Sequence, residues 1–433
     1  MAAKYTPHMS ITHKLEKKNH SFLPTKVTFF YTVIINTLSW KQELKLPGFE
    51  VIDEKEKKAI SRIFDEGKVF FAHGFDKKRK HYHVREFEQK LKNIFSPKMA
   101  DVWCVSSGTA AIKVALKALG IGRGDEVITQ SFNFIATVEA IVDTGANVVF
   151  TDIDDTLNMC PKNLESLISK KTKAIIPVHM LGVPADMILI NRTGKRNKVA
   201  IGEAACEAIG AKVAGKSVGG LSEFGVFSFD FGKMITTGEG GALFSKKKSD
   251  GKNARMYHDH GHKNIPSLPR GLDHAGLIGF NYRMTEISGA FGKVQLKKFP
   301  SILNDSKKRY HALKKFINHK EIQFRHVTSG SEPNYDTFVI SIKNKKLRDQ
   351  VISVLNKAGF GTKNLPDAFN WHCAYFWEHI DKNIRNKEVK SCYDRLRKCV
   401  AIPILVLRSI KDYKNIASDI NAVSYTHLRA HET

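Results

Sequence analysis

The chain has 433 residues, of which 42% are hydrophobic and 26% charged, and carries a formal net charge of +26. That length is too great for one core, so two domains plus extras are expected, and the composition is ordinary for a soluble globular protein. The six cysteines lack CxxC or Cys/His ligand spacing, which argues against a zinc site or a disulfide framework and fits a reducing cytoplasm. The lysines are spread along the chain without a nucleic-acid-binding motif, so the basic surplus reads as solvated faces, with room left for anionic, phosphorylated substrates.

Residues 1–44 are basic and irregular and form no pattern that joins the downstream sequence; they are an extension or translated upstream sequence. Their apolar stretch Val27–Trp40 is shorter than the roughly 20 residues of a spanning helix and has no small-residue cleavage site after it. Organised sequence begins at Leu46-Pro47-Gly48-Phe49.

From about 100 to 245 strand-like and helix-like segments alternate. Strands are expected at Val102–Val105, Glu126–Thr129, Val148–Phe150, Ala174–Val178, Val199–Ile201 and Val226–Phe229. Helices are expected at Thr109–Leu119, Ala136–Val142, Asn163–Ile168 and 186–197. This is the pattern of an α/β domain with a mainly parallel sheet covered on both faces. After about 300 a helix (Ile302–Ile317), a strand (Thr337–Ile342) and a helix (Leu347–Ala358) suggest a smaller α+β domain. The expected division is 45–300 for the large domain and 301–421 for the small one. The tail 422–433 (AVSYTHLRAHET) resembles translated adapter sequence, which would cut the natural chain inside its last helix.

Three segments at expected strand ends carry chemistry. In FSFDFGKMITTGEGG (Phe227–Gly241), Lys233 sits in an apolar stretch before a glycine-rich turn. A desolvated lysine has a lowered pKa and is a usable amine nucleophile, although a structural lysine in a tight turn reads equally well. In VSSGTAA (Val105–Ala111), Ser107, Gly108 and Thr109 join a strand to a helix start, either a phosphate cradle or a plain N-cap. In QSFNFIAT (Gln130–Thr137), Phe132 and Phe134 could stack on a planar ligand or pack in the core. Ligands collect at the C-terminal ends of parallel strands, which ties the three together.

Taken in order, VSSGTAA, FNFIATVEAI, FTDID, IPVHMLGVPADM, FSFDFGKMITTGEGG and GFNYRMTEISGAFG resemble the DegT/DnrJ/EryC1/StrS family of sugar aminotransferases. The resemblance implies an aspartate-aminotransferase-like fold (fold type I), a homodimer and pyridoxal phosphate as cofactor. It implies that Lys233 forms the Schiff base, that Gly108 and Thr109 with Ser107 and Ser228 hold the phosphate, and that Phe134 stacks on the pyridine ring. It further implies that Glu207 faces the ring hydroxyl and that Asn281 reaches the phosphate of the partner subunit. One position departs from the family pattern: Glu203-Ala204-Ala205-Cys206-Glu207 has Ala204 where the family carries the aspartate that keeps the ring nitrogen protonated. Glu203 points to the opposite face of the strand and is a poor substitute. A sequence error, a weakened enzyme or a local rearrangement would each explain it.

The implied reaction moves an amino group from glutamate or glutamine to a keto- or aldehyde-sugar of surface polysaccharide. LPGFEVID, FAHGFDKKRK, HDHGHKN and NLPDAFNWH resemble the branch of the 8-amino-3,8-dideoxy-manno-octulosonate (Kdo8N) transaminases, which act on an acidic sugar. His258, His260 and His262 would then lie near a substrate loop rather than bind metal, and Lys77, Arg79 or Arg270 could meet a carboxylate. Two alternatives stay open: a cofactor-binding regulator of weak catalysis, and a sugar dehydratase. The dehydratases of the family commonly carry histidine at the position of Lys233, so the lysine speaks against the second.

Overall fold

The computed structural model describes residues 47–74 and 79–423. The extension 1–44 with its apolar stretch, Lys77, and residues 424–433 of the tail lie outside the described residues. Among the described residues no helix is long and apolar enough to cross a membrane.

Helices α1 (Glu54–Asp65) and α2 (His83–Phe95) precede the main sheet. Its strands and their helices then follow in alternation: β1 (Asp101–Val105), α3 (Gly108–Ala118), β2 (Glu126–Gln130), α4 (Ile135–Val142), β3 (Asn147–Thr151), α5 (Pro161–Leu167), β4 (Thr172–Ile176), α6 (Met187–Asn197) and β5 (Ala200–Ala204). A short hairpin of β6 (Lys212–Val213) and β7 (Lys216–Ser217) leads to β8 (Phe224–Ser228), β9 (Gly241–Ser245) and α7 (Lys248–Tyr257).

The seven-stranded sheet has the order β1-β9-β8-β5-β4-β2-β3. Every neighbouring pair is parallel except those of β9, which runs antiparallel to both β1 and β8. β8 and β9 are buried at every residue, as an apolar run is when helices cover both faces. Apolar cores lie on the two faces: one contains Ala111, Val114 and Val226, the other Phe87, Phe227 and Phe299.

The helix expected to begin at Ile302 is the second half of a longer one, α8 (Glu286–Phe316), of 31 residues with Pro300 inside. Its first half is glycine-bearing because it packs closely on α2. A Cβ on Gly289 would lie 2.7 Å from the Val84 nitrogen, and one on Gly292 would lie 2.7 Å from the Phe87 ring. Beyond α8 come β10 (Ile322–Phe324), β11 (Ser331–Glu332), β12 (Thr337–Ile342), α9 (Lys345–Lys357), α10 (Lys387–Leu396), β13 (Cys399–Pro403) and α11 (Ile410–Ala422). β10, β12 and β13 form an antiparallel sheet with its own core of Leu313, Phe338, Ile340 and Tyr413. β11 instead pairs with β6, so chain from beyond residue 330 is stitched to the first half close to Glu207.

Candidate active site

The C-terminal ends of β1, β2, β5 and β8 open toward one region, and each delivers a residue singled out from the sequence. β1 runs through Ser106 into α3, whose N-cap is Ser107: its hydroxyl accepts the Ala110 N–H at 3.0 Å. The first amides of a helix have no partner inside it, so those of Gly108 and Thr109 face outward at the positive end of the helix dipole. Gly108 has no room for a side chain. A Cβ there would lie 2.9 Å from the Ser228 Cβ and 3.2 Å from the Cys206 Sγ. That contact brings the ends of β1, β5 and β8 together.

β8 ends at Ser228, and the chain then makes the turn carrying Lys233. The turn is braced from within: Phe229 N–H donates to the Gly240 carbonyl at 2.8 Å, and Thr236 Oγ1 to the Phe229 carbonyl at 3.1 Å. Lys233 N–H donates to the Asp230 carbonyl at 3.1 Å, and Gly48 N–H donates to the Lys233 carbonyl at 3.1 Å. The Lys233 side chain keeps 19% exposure, and its Nζ stands 3.7 Å from Glu207 Oε1.

Glu207 is held from several directions. Oε2 accepts the Leu181 N–H at 2.9 Å, Oε1 accepts Asn364 Nδ2 at 3.2 Å, and its backbone carbonyl accepts Asn334 Nδ2 at 3.0 Å. Leu181, Tyr335 and Asn364 all have positive φ (49°, 65° and 65°), conformations that cost non-glycine residues energy and persist only when surroundings enforce them. Burial opposes the Glu207 charge, but Lys233, His372, Lys363 and the Leu181 N–H overcome it and bring its pKa down to about 2. The pairing corrects the expectation for Lys233. Burial does act to lower its pKa, yet the Glu207 carboxylate, with Asp230 and Asp336 adding to it, leaves the amine above the ordinary lysine value. The amine is therefore a cation here, and its nucleophilicity depends on passing its proton on.

Phe132 and Phe134 part company. Phe132 is fully buried in the core, whereas Phe134 is 44% exposed at the start of α4, its ring 5.3 Å from that of His372. His372 escaped the sequence reading as a site residue although its segment NLPDAFNWH stood out. Its Nδ1 lies 2.8 Å from the Ala368 carbonyl, and burial lowers its pKa, with Glu207 opposing. Asn334, Asp336, Lys363 and Asn364 also went unnoticed; Lys363 pairs with the buried Asp336 at 2.8 Å. They come from beyond residue 330, and only the packing of the smaller sheet brings them to Glu207.

Ala204 ends β5 and is buried in the core. Glu203 turns to the other face, where Oε1 accepts Leu221 N–H at 2.6 Å and Oε2 accepts Gly219 N–H at 2.8 Å. His179 completes that cage: its Nδ1 accepts the Ala185 N–H at 3.0 Å, so Nε2 carries the hydrogen directed at Glu203, 3.3 Å away. Glu203 is thereby fully occupied and does not replace a carboxylate at position 204.

Other candidates prove to be structural. Arg79 pairs with the buried Glu286 at 2.9 Å, and Arg270 pairs with Asp259, so neither guanidinium is open to a substrate carboxylate. His258 is bonded to the Ala254 carbonyl at 3.2 Å, and His262 lies 3.8 Å from Asp273. Among the described residues no group of His, Cys, Asp and Glu is arranged to hold a metal ion. Asn281 is exposed, and no hydrogen bond joins it to Lys233, Gly108 or Ser228 of its own chain.

Residues 58–421 match the DegT/DnrJ/EryC1/StrS aminotransferase family. The chain belongs to this family. Its members are pyridoxal-phosphate enzymes, and the donor set fits that group at one end: helix amides and hydroxyls for a phosphate, and an amine for an aldehyde. It does not fit at the ring nitrogen, where Ala204 offers no charge. The chain is 36% identical over 253 residues to a GDP-perosamine synthase of Escherichia coli O157:H7, a match covering 55% of this chain and 65% of that one. It is 40% identical over 198 residues to a pleiotropic regulatory protein of Geobacillus stearothermophilus, covering 45% and 50%. The match thus spans between half and about two thirds of the length of these curated relatives. The fold is similar to that of Helicobacter pylori PseC, an aminotransferase involved in the biosynthesis of pseudoaminic acid, with a TM-score of 0.77, 21% identity, and coverage of 88% of this chain and 99% of that one. The fold is that of type I enzymes, as the DegT/DnrJ/EryC1/StrS membership requires.

Proposed function

We propose that this chain is a pyridoxal-phosphate-dependent sugar aminotransferase, using glutamate or glutamine to aminate a keto- or aldehyde-sugar, in the cytoplasm and as a homodimer. The observation that carries the reading is the Lys233 amine, 3.7 Å from Glu207, beside a helix start with no room for a side chain at Gly108. Bound there, pyridoxal phosphate supplies an electrophilic carbonyl and an electron-accepting ring. The amides of Gly108 and Thr109 with the hydroxyls of Ser107 and Ser228 bind its phosphate. Phe134 would cover one face of its ring, and Glu207 would meet the ring hydroxyl. With its proton released to solvent, Lys233 Nζ would be the nucleophile for that carbonyl, and would then carry a proton to and from the substrate carbon as general base and acid. Asn281 serves the site of the partner subunit.

The finer substrate, an oxidised acidic sugar of the Kdo8N type, rests on the segments LPGFEVID, FAHGFDKKRK, HDHGHKN and NLPDAFNWH. Adding pyridoxal phosphate is expected to produce an absorbance band at the visible edge, bleached by borohydride and lost in Lys233→Ala. A band that survives in that variant sinks the assignment. Glutamate should then discharge the band if the protein is a transaminase.

Ala204 favours a second reading, a cofactor-binding regulator of little catalytic power, and the regulatory relative is in keeping with it. A band that glutamate leaves unchanged, even after Ala204→Asp, would select that reading.

A further inference from the structure

We propose that Asp259 is a positioning residue, a two-arginine latch that sets Asn281 for a cofactor held by the neighbouring subunit. The inference rests on the shared-site reading and goes beyond it by naming what fixes the shared residue. The excursion from His258 to Arg283 leaves the end of α7 and returns to the end of β1. Its two limbs are tied by backbone pairing of Asp259 with Asn281 and of His262 with Ala275. Its return is anchored on β1, where Ser106 N–H donates to the Tyr282 carbonyl at 2.8 Å and Val105 pairs with Arg283.

Asp259 sits at the root, 2% exposed. Arg270 Nη1 donates to Oδ2 at 2.8 Å and Nη2 to Oδ1 at 2.5 Å, while Arg283 Nη1 donates to the same Oδ1 at 2.6 Å. A bidentate guanidinium fixes orientation as well as distance, and a second one from the returning limb closes the loop on a single carboxylate. Burial opposes the Asp259 charge, and the two arginines bring its pKa down to about 2.

Asn281, two residues before Arg283, is exposed. Its Oδ1 accepts the Arg283 N–H at 3.4 Å, and its Nδ2 has no partner among the described residues. A buried carboxylate and two guanidiniums thus fix an exposed carboxamide that bonds nothing in its own site. That arrangement makes sense if the carboxamide works on another chain.

The test uses hybrid dimers of the full chain, purified through two different affinity tags, with cofactor dissociation followed by loss of the visible-edge band. Asp259→Asn homodimers should release cofactor at least about tenfold faster than wild type, as the buried pair that holds the loop is broken. In a hybrid with a Lys233→Ala chain, the remaining lysine belongs to the Asp259→Asn chain and the facing Asn281 to a chain with its latch intact. Release should return to the wild-type rate. An Asn281→Ala and Lys233→Ala hybrid tests the shared site itself. If it stays fast while Asn281→Ala homodimers are impaired, the shared-site reading falls and the latch proposal with it. If it recovers but the Asp259→Asn hybrid stays fast, the latch acts within its own subunit and this proposal alone is overturned. Wild-type release from Asp259→Asn homodimers also overturns it. Arg270→Gln, in the same pairings, serves should Asp259→Asn fail to fold.

Discussion

Replacing Glu207 by Gln isolates the interaction on which the Lys233 amine depends. Glutamine keeps the shape and can still accept the Leu181 N–H, but it removes the charge 3.7 Å from Nζ. Two unit charges at that distance attract by about 4 kcal/mol at the effective dielectric of about 20 that suits partly buried pairs. From the other partner, the descent of Glu207 from 4.5 to about 2 corresponds to roughly 3 kcal/mol, shared among Lys233, His372, Lys363 and the Leu181 N–H. Lys233 should therefore lose the largest of the interactions that hold its pKa up, leaving burial opposed only by the weaker ones such as Asp230 and Asp336, so that its pKa falls in the variant. The assay needs no cofactor. Reductive methylation of Lys233 by formaldehyde, followed by mass across a pH series, reports the fraction of free amine. The Glu207→Gln profile should shift about one unit or more to lower pH, with about tenfold more labelling at neutral pH. A superimposable pair of profiles would refute the electrostatic account and leave Lys233 governed by burial alone.

Ala204→Asp should raise the rate of the glutamate half-reaction by about tenfold or more, the scale of a charge placed where the reaction develops charge; equal rates in stopped-flow absorbance would mean that position 204 does not face the ring nitrogen. Gly108→Ala should lower pyridoxal-phosphate affinity about tenfold or more while circular dichroism stays native, because the new Cβ meets Ser228 at 2.9 Å. The pH dependence comes from the depressed pKa of Glu207: its contribution to stability is fully present above its unfolded value of 4.5 and is lost as pH falls toward about 2. Urea titrations should accordingly show wild type and Glu207→Gln converging across that window.

The sheet was readable because its strands are short apolar runs ended by glycine or polar residues, and Phe224–Ser228 is one such run. β9 was not, since GALFS directly succeeds the lysine turn and nothing local tells a returning antiparallel strand from loop. The early half of α8 is hidden by Gly289, Gly292 and Pro300, which look like breakers locally; the two glycines instead allow close packing on α2, and the helix runs on through Pro300. In the site, Lys233, Gly108, Ser228 and Glu207 came from contiguous motifs. Asn334 and Asp336 carry no local signature, and the motif NLPDAFNWH does not say that Asn364 and His372 meet Glu207; their roles arise from tertiary docking across more than a hundred residues of chain. The charge state of Lys233 was misjudged for the same reason. Burial can be guessed from neighbours in sequence, whereas the compensating carboxylate 26 positions upstream is fixed by the fold.

The opening turn Pro47–Glu50 has a consequence for the order of events during synthesis. Gly48 grips the backbone of Lys233, and the Glu50 carboxylate accepts the Val406 N–H at 2.6 Å, a contact spanning 356 positions. Pro47–Glu50 thus leave the ribosome well over 300 residues ahead of one of their partners and are among the last described residues to find their places. Non-local closure of this kind is slow, and the lower brace of the lysine-bearing loop is set in full only once Val406 has been made.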